Sequence, residues 1–271
     1  MKILKIVGLT VIILNVSACK HNEEEAKQFL KKGAIQLALP MLSTNNTIIS
    51  DSTLLTIGPV MDGLKMHYTM EGSEPTKKAS LYTGPLKISS EGVVKVMAFH
   101  PDWLPSEVST IEFFKAGIRP VSIKLLTELN EKYPGNGVET LIDNKKGTSN
   151  FSDSNWIGIN NSLSAIVDFG EPKNLHSMKV CYMTNTGVWI FPPKSITILK
   201  SDDGIDFKEV IREELDTPAS GISSGITHTS IAINVKIRYI KVHIENIEKI
   251  PEWHDGRDQP SWVFMDEWIF N

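Results

Sequence analysis

Two adjacent carboxylates, Asp266 and Glu267, lie within SWVFMDEWIFN, a run that is otherwise mostly aromatic and aliphatic. If this run is a β-strand, successive side chains point to opposite faces, and neither face has the polar character that solvent exposure requires. A buried carboxylate must be protonated, pair with a cation or bind a metal, because burying an unpaired charge is costly. The pair could therefore be the acid pair of a hydrolase or half of a calcium site.

The elements that must position these carboxylates are short strands separated by turns. Met66, Tyr68 and Met70 alternate with other residues, and similar apolar runs recur between Gly and Pro residues along the chain. The runs SAIVDFG and HSMKVCYM, each bounded by turn residues, predict two separate strands. In IAINVKIRYIKVHIENI the apolar residues change parity near Arg238 and Tyr239, which predicts a β-bulge or a break. We expect an all-β chain with two β-sandwiches.

The first residues predict export. Two lysines precede an apolar stretch shorter than the ~20 residues that cross a bilayer, and small residues follow it, as in a signal peptide over residues 1–18. The sequence VSAC, ending at Cys19, resembles a bacterial lipobox, which implies that Cys19 is lipidated. Lys20 stands where an aspartate would favour the inner membrane, so the resemblance implies an outer-membrane lipoprotein. Residues 19–36 are predicted to be a polar tether.

The composition and several motifs exclude some classes of function. The net charge is -4, with 28 basic and 32 acidic residues, so the chain has no electrostatic footprint for nucleic acid. The sequence has neither a His-Glu-x-x-His motif nor a cysteine pair, so zinc chemistry has no support. Cys181 is expected to be a half-buried free thiol. The Gly-x-Ser-x-Gly match at residues 221–225 lies in a polar loop, not between a buried strand and a helix as in a nucleophile elbow.

The first half of the chain resembles a known accessory domain. HYTMEGSEPTKKASLYTGPLKI, followed by VVKVMAFHPDWLPSEV, is similar to the immunoglobulin-like domain that follows the catalytic barrel in chitobiases and β-N-acetylhexosaminidases. The resemblance implies that residues 37–117 form an immunoglobulin-like sandwich. In that family the domain has a structural or accessory role, so it implies no activity.

The second half, residues 118–271, resembles a discoidin-like domain, the coagulation-factor C-type fold. The similarity rests on Leu141-Ile142-Asp143, NWIG, AIVDFG, KSITILKSDDGIDFKEV, RYIKVHIEN and WVFMDEW, which stand in the order of that family. GVWIFPPKSI and PEWHDGRDQPSWVFMDEW look like the version at the C-terminus of Bacteroidetes-type β-hexosaminidases. The resemblance implies a galactose-binding-like jelly roll of the kind used by bacterial carbohydrate-binding modules.

The catalytic barrel of those enzymes has no counterpart in this sequence. A (β/α)₈ barrel takes about 250 residues of alternating strands and helices, and no such alternation is present. In the hexosaminidases an Asp-Glu pair follows His-x-Gly-Gly at a barrel strand end, whereas Asp266 and Glu267 follow Val263-Phe264-Met265. We therefore expect no catalytic residues and no enzyme activity.

The resemblance also implies a metal. Discoidin-like modules often hold a structural Ca²⁺ between the loop after the first strand and a glutamate near the C-terminus, which places the ligands at Asp143, Thr148 and Glu267. Calcium takes about 6 to 8 oxygen ligands, and backbone carbonyls of this loop could supply several. The alternative is that a lysine or backbone amides satisfy the Glu267 carboxylate.

Two tryptophans on predicted loops are candidates for sugar binding. Trp189 and Trp253 stand beside turn residues, where an exposed ring could stack on a sugar while His254 and Arg257 hydrogen-bond its hydroxyls. Their loops could converge, because the loops of a sandwich cluster at its two ends. The alternative is that both rings plug the end of the sandwich. Trp262 and Trp268 are expected in the core.

These observations predict a lipid-anchored, non-catalytic glycan-binding protein of the bacterial outer membrane that aids the use of polysaccharides or host glycans. The resemblance suggests glycans that contain N-acetylhexosamine or galactose, with glycoside hydrolases or importers as protein partners. One alternative is a structural or protein-interaction module that docks a glycoside hydrolase. A second alternative is a hydrolase fragment related to chitobiases and β-hexosaminidases.

Overall fold

The computed structural model describes residues 35–271, and within them it contains β-strands and two short 3₁₀ helices but no α-helix. The all-β prediction is confirmed. The strands are β1 (Met41–Thr44), β2 (Ile48–Ile49), β3 (Thr53–Gly58), β4 (Lys65–Thr69), β5 (Ser80–Leu81), β6 (Leu86–Ile88), β7 (Gly92–Phe99), β8 (Ser109–Lys115), β9 (Ser122–Leu125), β10 (Ile157–Ile159), β11 (Leu163–Asn185), β12 (Ser195–Ser201), β13 (Lys208–Glu214), β14 (Ser224–Glu245) and β15 (Val263–Phe270), and the 3₁₀ helices are η1 (Val138–Leu141) and η2 (Thr186–Val188).

Residues 41–115 form two sheets packed face to face, here called the N-terminal sheets. One has the order β1-β3-β6 and the other β2-β8-β7-β4-β5. In β7 the inward side chains alternate along the strand, so Val94, Val96 and Ala98 are buried. They share one hydrophobic core with Leu55 and Ile57 of the opposite sheet, which holds the two layers together.

Residues 122–270 form one seven-stranded sheet, here called the C-terminal sheet, with the order β10-β15-β11-β14-β12-β13 and with β9 also paired to β11. Strands β11 and β14 are unusually long, at 23 and 22 residues. Val167 and Val180 lie on either side of two register shifts in β11, yet both belong to the same buried core. The sheet therefore bends over on itself and encloses that core.

The predicted irregularity in the longest apolar run is confirmed. Tyr239 pairs with Asp168 and Ile237 pairs with Lys173, so the register shifts opposite Arg238 while β14 continues through it. The Arg238 guanidinium donates to both carboxylate oxygens of Asp168, at 2.9 and 3.1 Å, and stabilises the bulge.

The N-terminal sheets contact the C-terminal sheet directly. Ile48 and Phe114 pack against Cys181 and Ile269, and an open cleft of about 1140 Å³ lies beside this contact. Cys181 is fully buried rather than half-buried, and burial raises the pKa of its thiol to about 12. It is therefore an inert core residue.

The predicted signal peptide and Cys19 lie outside the described residues. Within residues 35–271 no helix is long and apolar enough to span a membrane.

Candidate functional site

An open cleft of about 380 Å³, here called the aromatic cleft, lies where the loops before β10, after β11 and before β15 meet. Five rings from these separate segments share its wall with one ammonium group, so the fold assembles the cleft from distant parts of the chain. Its lining residues are Lys132, Tyr133, Phe151, Gly187, Val188, Trp189, Ile190, Trp262 and Phe264.

Tyr133 is the centre of the aromatic wall. Its ring makes edge-to-face contacts with Trp262, Phe264 and Phe151, with centroid distances of 5.2, 4.9 and 6.0 Å. Aromatic pairs in this geometry are stabilised beyond the area that they bury. The packing of these rings therefore fixes the shape of the wall.

Trp189 is held at the rim of the cleft by its backbone. It ends η2 in the left-handed conformation, with φ 70°, which is uncommon for a bulky residue. Its N–H donates to the Thr186 carbonyl at 3.0 Å and its carbonyl accepts from the Trp262 N–H at 2.8 Å. These bonds hold the strained residue in place. Trp189 remains 39% exposed.

The second predicted loop reaches the same place. The Trp189 ring packs on Gly256, where a Cβ atom would stand 2.7 Å from the ring carbon Cε2. Glycine at this position lets the indole approach the backbone closely. The structure therefore brings together the two loops that were predicted to converge.

Within this second loop, Trp253 and His254 have structural partners. The Trp253 Nε1–H donates to the Pro218 carbonyl at 3.1 Å, and the partly buried ring packs against Phe191. His254 Nδ1 accepts from the Gly256 N–H at 2.9 Å, so Nε2 carries the proton and donates to the Thr186 carbonyl at 2.6 Å. The polar atoms of both residues have partners within the protein, and neither residue lines the aromatic cleft, so their predicted contacts with sugar stay a prediction.

Arg257 is exposed in this loop, and its N–H donates to the His254 carbonyl at 3.0 Å. Its side chain does not line the aromatic cleft. Its predicted role in sugar binding stays a prediction.

Sequence reasoning missed Lys132, Tyr133 and Phe151, and it expected Trp262 in the core. Trp262 is half-buried and lines the cleft, whereas Trp268 is 1% exposed and lies in the core as expected. The signal that pointed to Trp189 was an aromatic residue beside turn residues. Tyr133 carries the same signal, because Pro134-Gly135 follows it directly.

The two adjacent carboxylates, Asp266 and Glu267, do not line the aromatic cleft. Asp266 is fully buried, and its two oxygens accept from the Lys146 ammonium at 2.7 Å and from the Gly147 N–H at 2.9 Å. Burial alone would lower the pKa of Lys146, but the Asp266 carboxylate and the neighbouring Cys181 together outweigh this effect, and the pKa is raised. Asp266 is therefore one half of a buried ion pair.

Glu267 has a different environment. It is 2% exposed and accepts from the Asn144 N–H at 2.7 Å, and burial raises its pKa to about 9 with a further contribution from the Asp143 charge. Burial also raises the pKa of Asp143. The structure thus brings Asp143 and Glu267 together, as predicted for a calcium site, and a cation between them would remove the cost of ionising both.

The third predicted ligand, Thr148, has other partners. Its carbonyl accepts from Trp156 Nε1 at 2.8 Å and its N–H donates to Asp153 at 3.2 Å. Residues 35–271 contain no group of three or more His, Cys, Asp or Glu side chains that could hold a metal. The residues present fit Ca²⁺ only if backbone carbonyls complete its coordination.

Comparison with known proteins gives three findings. A family model described as Fn3 associated matches residues 55–113. The comparison with curated proteins found no match. Among solved structures, the chain is similar to chitosan-binding module 1 of a chitosanase/glucanase from Paenibacillus sp. IK-5, with 12% identity over 57% of this chain and 96% of that one and a TM-score of 0.35. It is also similar to CBM32-1 of a family 31 glycoside hydrolase from Clostridium perfringens, with 13% identity over 56% and 96% and a TM-score of 0.33.

Proposed function

We propose that this chain binds glycans and that the aromatic cleft is the sugar site. The observation that carries the proposal is the exposed indole of Trp189 beside a rigid wall of four further rings. The apolar face of a sugar stacks well on such rings, and an open cleft admits one sugar or the end of a chain. The resemblance in sequence to hexosaminidase accessory regions favours ligands that contain N-acetylhexosamine or galactose.

A non-catalytic role agrees with the use of the two buried carboxylates. Asp266 is paired with Lys146, and Glu267 is enclosed with Asp143 away from the aromatic cleft. An acid pair for glycoside hydrolysis needs a cleft between its two carboxyl groups. In the proposed role, the protein captures glycans for partner hydrolases or importers.

The experiment is a glycan array followed by calorimetry on Trp189→Ala. We expect binding at least about tenfold weaker than wild type with the fold retained, because the ring is exposed and acts on the complex more than on the core. Trp103→Ala is the matched control, since this tryptophan stacks on His100 in the loop between β7 and β8, with 4.2 Å between ring centroids. If Trp189→Ala binds as well as wild type, the cleft is not the site. If wild type binds no glycan at millimolar concentration, the interaction-module alternative replaces the proposal.

Two further features belong to the proposed function. A lipid on Cys19 would hold the protein at the outer membrane. A Ca²⁺ ion between Asp143 and Glu267 would be structural, because this site is separate from the aromatic cleft. Replacement of Cys19 by Ser tests the anchor, since recovery of that variant with the outer membrane would contradict it.

A further inference from the structure

We infer that the aromatic cleft prefers glycans that carry a carboxylate, such as uronic acids, and that Lys132 is the residue that selects them. This inference rests on the proposed function and narrows its ligand class. It is carried by the position and the free charge of a single side chain.

Lys132 is the one charged residue among the nine that line the aromatic cleft. Its side chain is exposed, and its ammonium lies 5.1 Å from the centroid of the Tyr133 ring and 5.9 Å from that of the Trp262 ring. Both contacts are cation–π interactions that keep the charge beside the wall on which a sugar would stack. A ligand in the cleft therefore meets this charge at close range.

No carboxylate of residues 35–271 neutralises the charge of Lys132. Lys146, Lys179 and Lys194 each pair with a carboxylate at 2.7 to 2.9 Å, but Lys132 has no such partner within 4.0 Å in the part of the chain that the structure describes. Glu131 is its neighbour in sequence and also makes no ion pair with it there. An anionic ligand can bind this ammonium without displacing an existing salt bridge.

A carboxylate on the bound sugar suits this arrangement better than a hydroxyl does. Hydrogen bonds between ionised groups are about twice as strong as those between neutral groups. A lysine ammonium acts as a compact point charge with three rotatable donors, so it tolerates several orientations of the carboxylate. Because Lys132 is exposed, the gain is modest and screened by salt.

The test uses matched ligands, oligogalacturonate and the neutral galactose oligomer of the same length. By calorimetry at low salt we expect wild type to bind the uronate about three- to fivefold more tightly, and we expect this ratio to shrink at high salt. Lys132→Gln should lose this preference and bind the two oligomers equally. Lys132→Arg should retain a preference, and Lys208→Gln, an exposed lysine on β13, is the matched control.

Each outcome is decisive. Equal binding of both oligomers by wild type, or a preference that survives in Lys132→Gln, overturns the inference and leaves the glycan-binding proposal standing. If wild type binds neither oligomer, the result counts against this inference and against the glycan-binding proposal. An unchanged melting temperature of Lys132→Gln shows that the variant has lost charge and not fold, as expected for an exposed side chain.

Discussion

Two tryptophans on neighbouring loops have different environments. Trp189 keeps 39% of its surface exposed, with its ring against Gly256. Trp253 packs against Phe191 and donates its N–H to Pro218, so it holds its own loop to the protein. Both stand beside turn residues, and local sequence alone could not separate the exposed ring from the partly buried supporting ring.

Removal of calcium tests the site at Glu267. For protein loaded with Ca²⁺ at about 100 times the dissociation constant, excess chelator should lower the free energy of unfolding by about 2 to 3 kcal/mol. Thermal unfolding before and after chelation measures the effect. Glu267→Gln should show no response to chelator, because it lacks the anionic ligand. A melting temperature of wild type that chelator does not change, in protein shown to be metal-loaded, would contradict the calcium proposal.

The periodicity of apolar residues predicted most of the strands, but it did not predict correctly where one strand ends and the next begins. The alternation in β7 and the parity change in β14 were both visible in the sequence, because one face of each strand is buried. SAIVDFG and HSMKVCYM, predicted as two strands, are one strand, β11. Gly170, with φ 77°, and Pro172, two residues later, resemble a turn signal, yet they lie in an irregular segment that keeps the strand paired with β14 on both sides.

The aromatic cleft was only partly predictable. Its convergence of loops follows from the sandwich architecture, which places connections at the ends of the sheets. Tyr133 and Trp262 are far apart in sequence, and their contact depends on tertiary packing that no local pattern reports. For the same reason, sequence reasoning could not assign one residue of the Asp266 and Glu267 pair to Lys146 and the other to Asn144.

The environment of Glu245, at the end of β14, predicts how the stability of the fold depends on pH. Glu245 accepts from Lys194 at 2.8 Å and from Arg212 at 2.6 Å, and also from Ser195 at 2.9 Å, and these bonds lower its pKa from 4.5 to about 2. A carboxyl whose folded pKa lies below its unfolded pKa stabilises the fold at neutral pH, and this stability is lost as pH falls from 4.5 towards 2. Glu245→Gln should cost about 1 to 2 kcal/mol at neutral pH and weaken the acid dependence.

Urea unfolding at neutral and acidic pH measures both effects. Glu209→Gln, an exposed glutamate on β13, is the matched control and should change neither. Equal acid dependence in wild type and Glu245→Gln would show that the ion pairs around this carboxylate do not contribute.

At the scale of the whole molecule, the loop around Lys146 joins the two parts of the chain. The Lys146 ammonium binds Asp266 of β15 and lies 5.4 Å from the centroid of the Phe114 ring of β8. Two residues earlier, the Asn144 carbonyl accepts from the Asn46 side chain at 3.1 Å. The loop therefore contacts both the N-terminal sheets and the last strand.

This arrangement predicts a large effect of one substitution. Lys146→Met should lower the free energy of unfolding by about 3 kcal/mol, because it leaves the buried Asp266 without its cation. The double variant Lys146→Met with Asp266→Asn should recover much of the loss, since the amide keeps an acceptor for the Gly147 N–H and carries no charge. Chemical denaturation of the three proteins measures the coupling. A double variant no more stable than Lys146→Met would show that the ion pair is not the cause.

The pairing of distant strands has a kinetic consequence. Ile157 of β10 lies opposite Met265, and Ala165 of β11 lies opposite Val242, so large segments must be closed into loops before these pairs form. Chains dominated by such non-local pairs fold in about milliseconds to seconds, far more slowly than helical bundles. During that interval the apolar side chains and unpaired backbone groups of β11 and β15 remain available to other molecules. Refolding yield should therefore fall steeply as protein concentration rises, so dilute conditions favour recovery of the native fold.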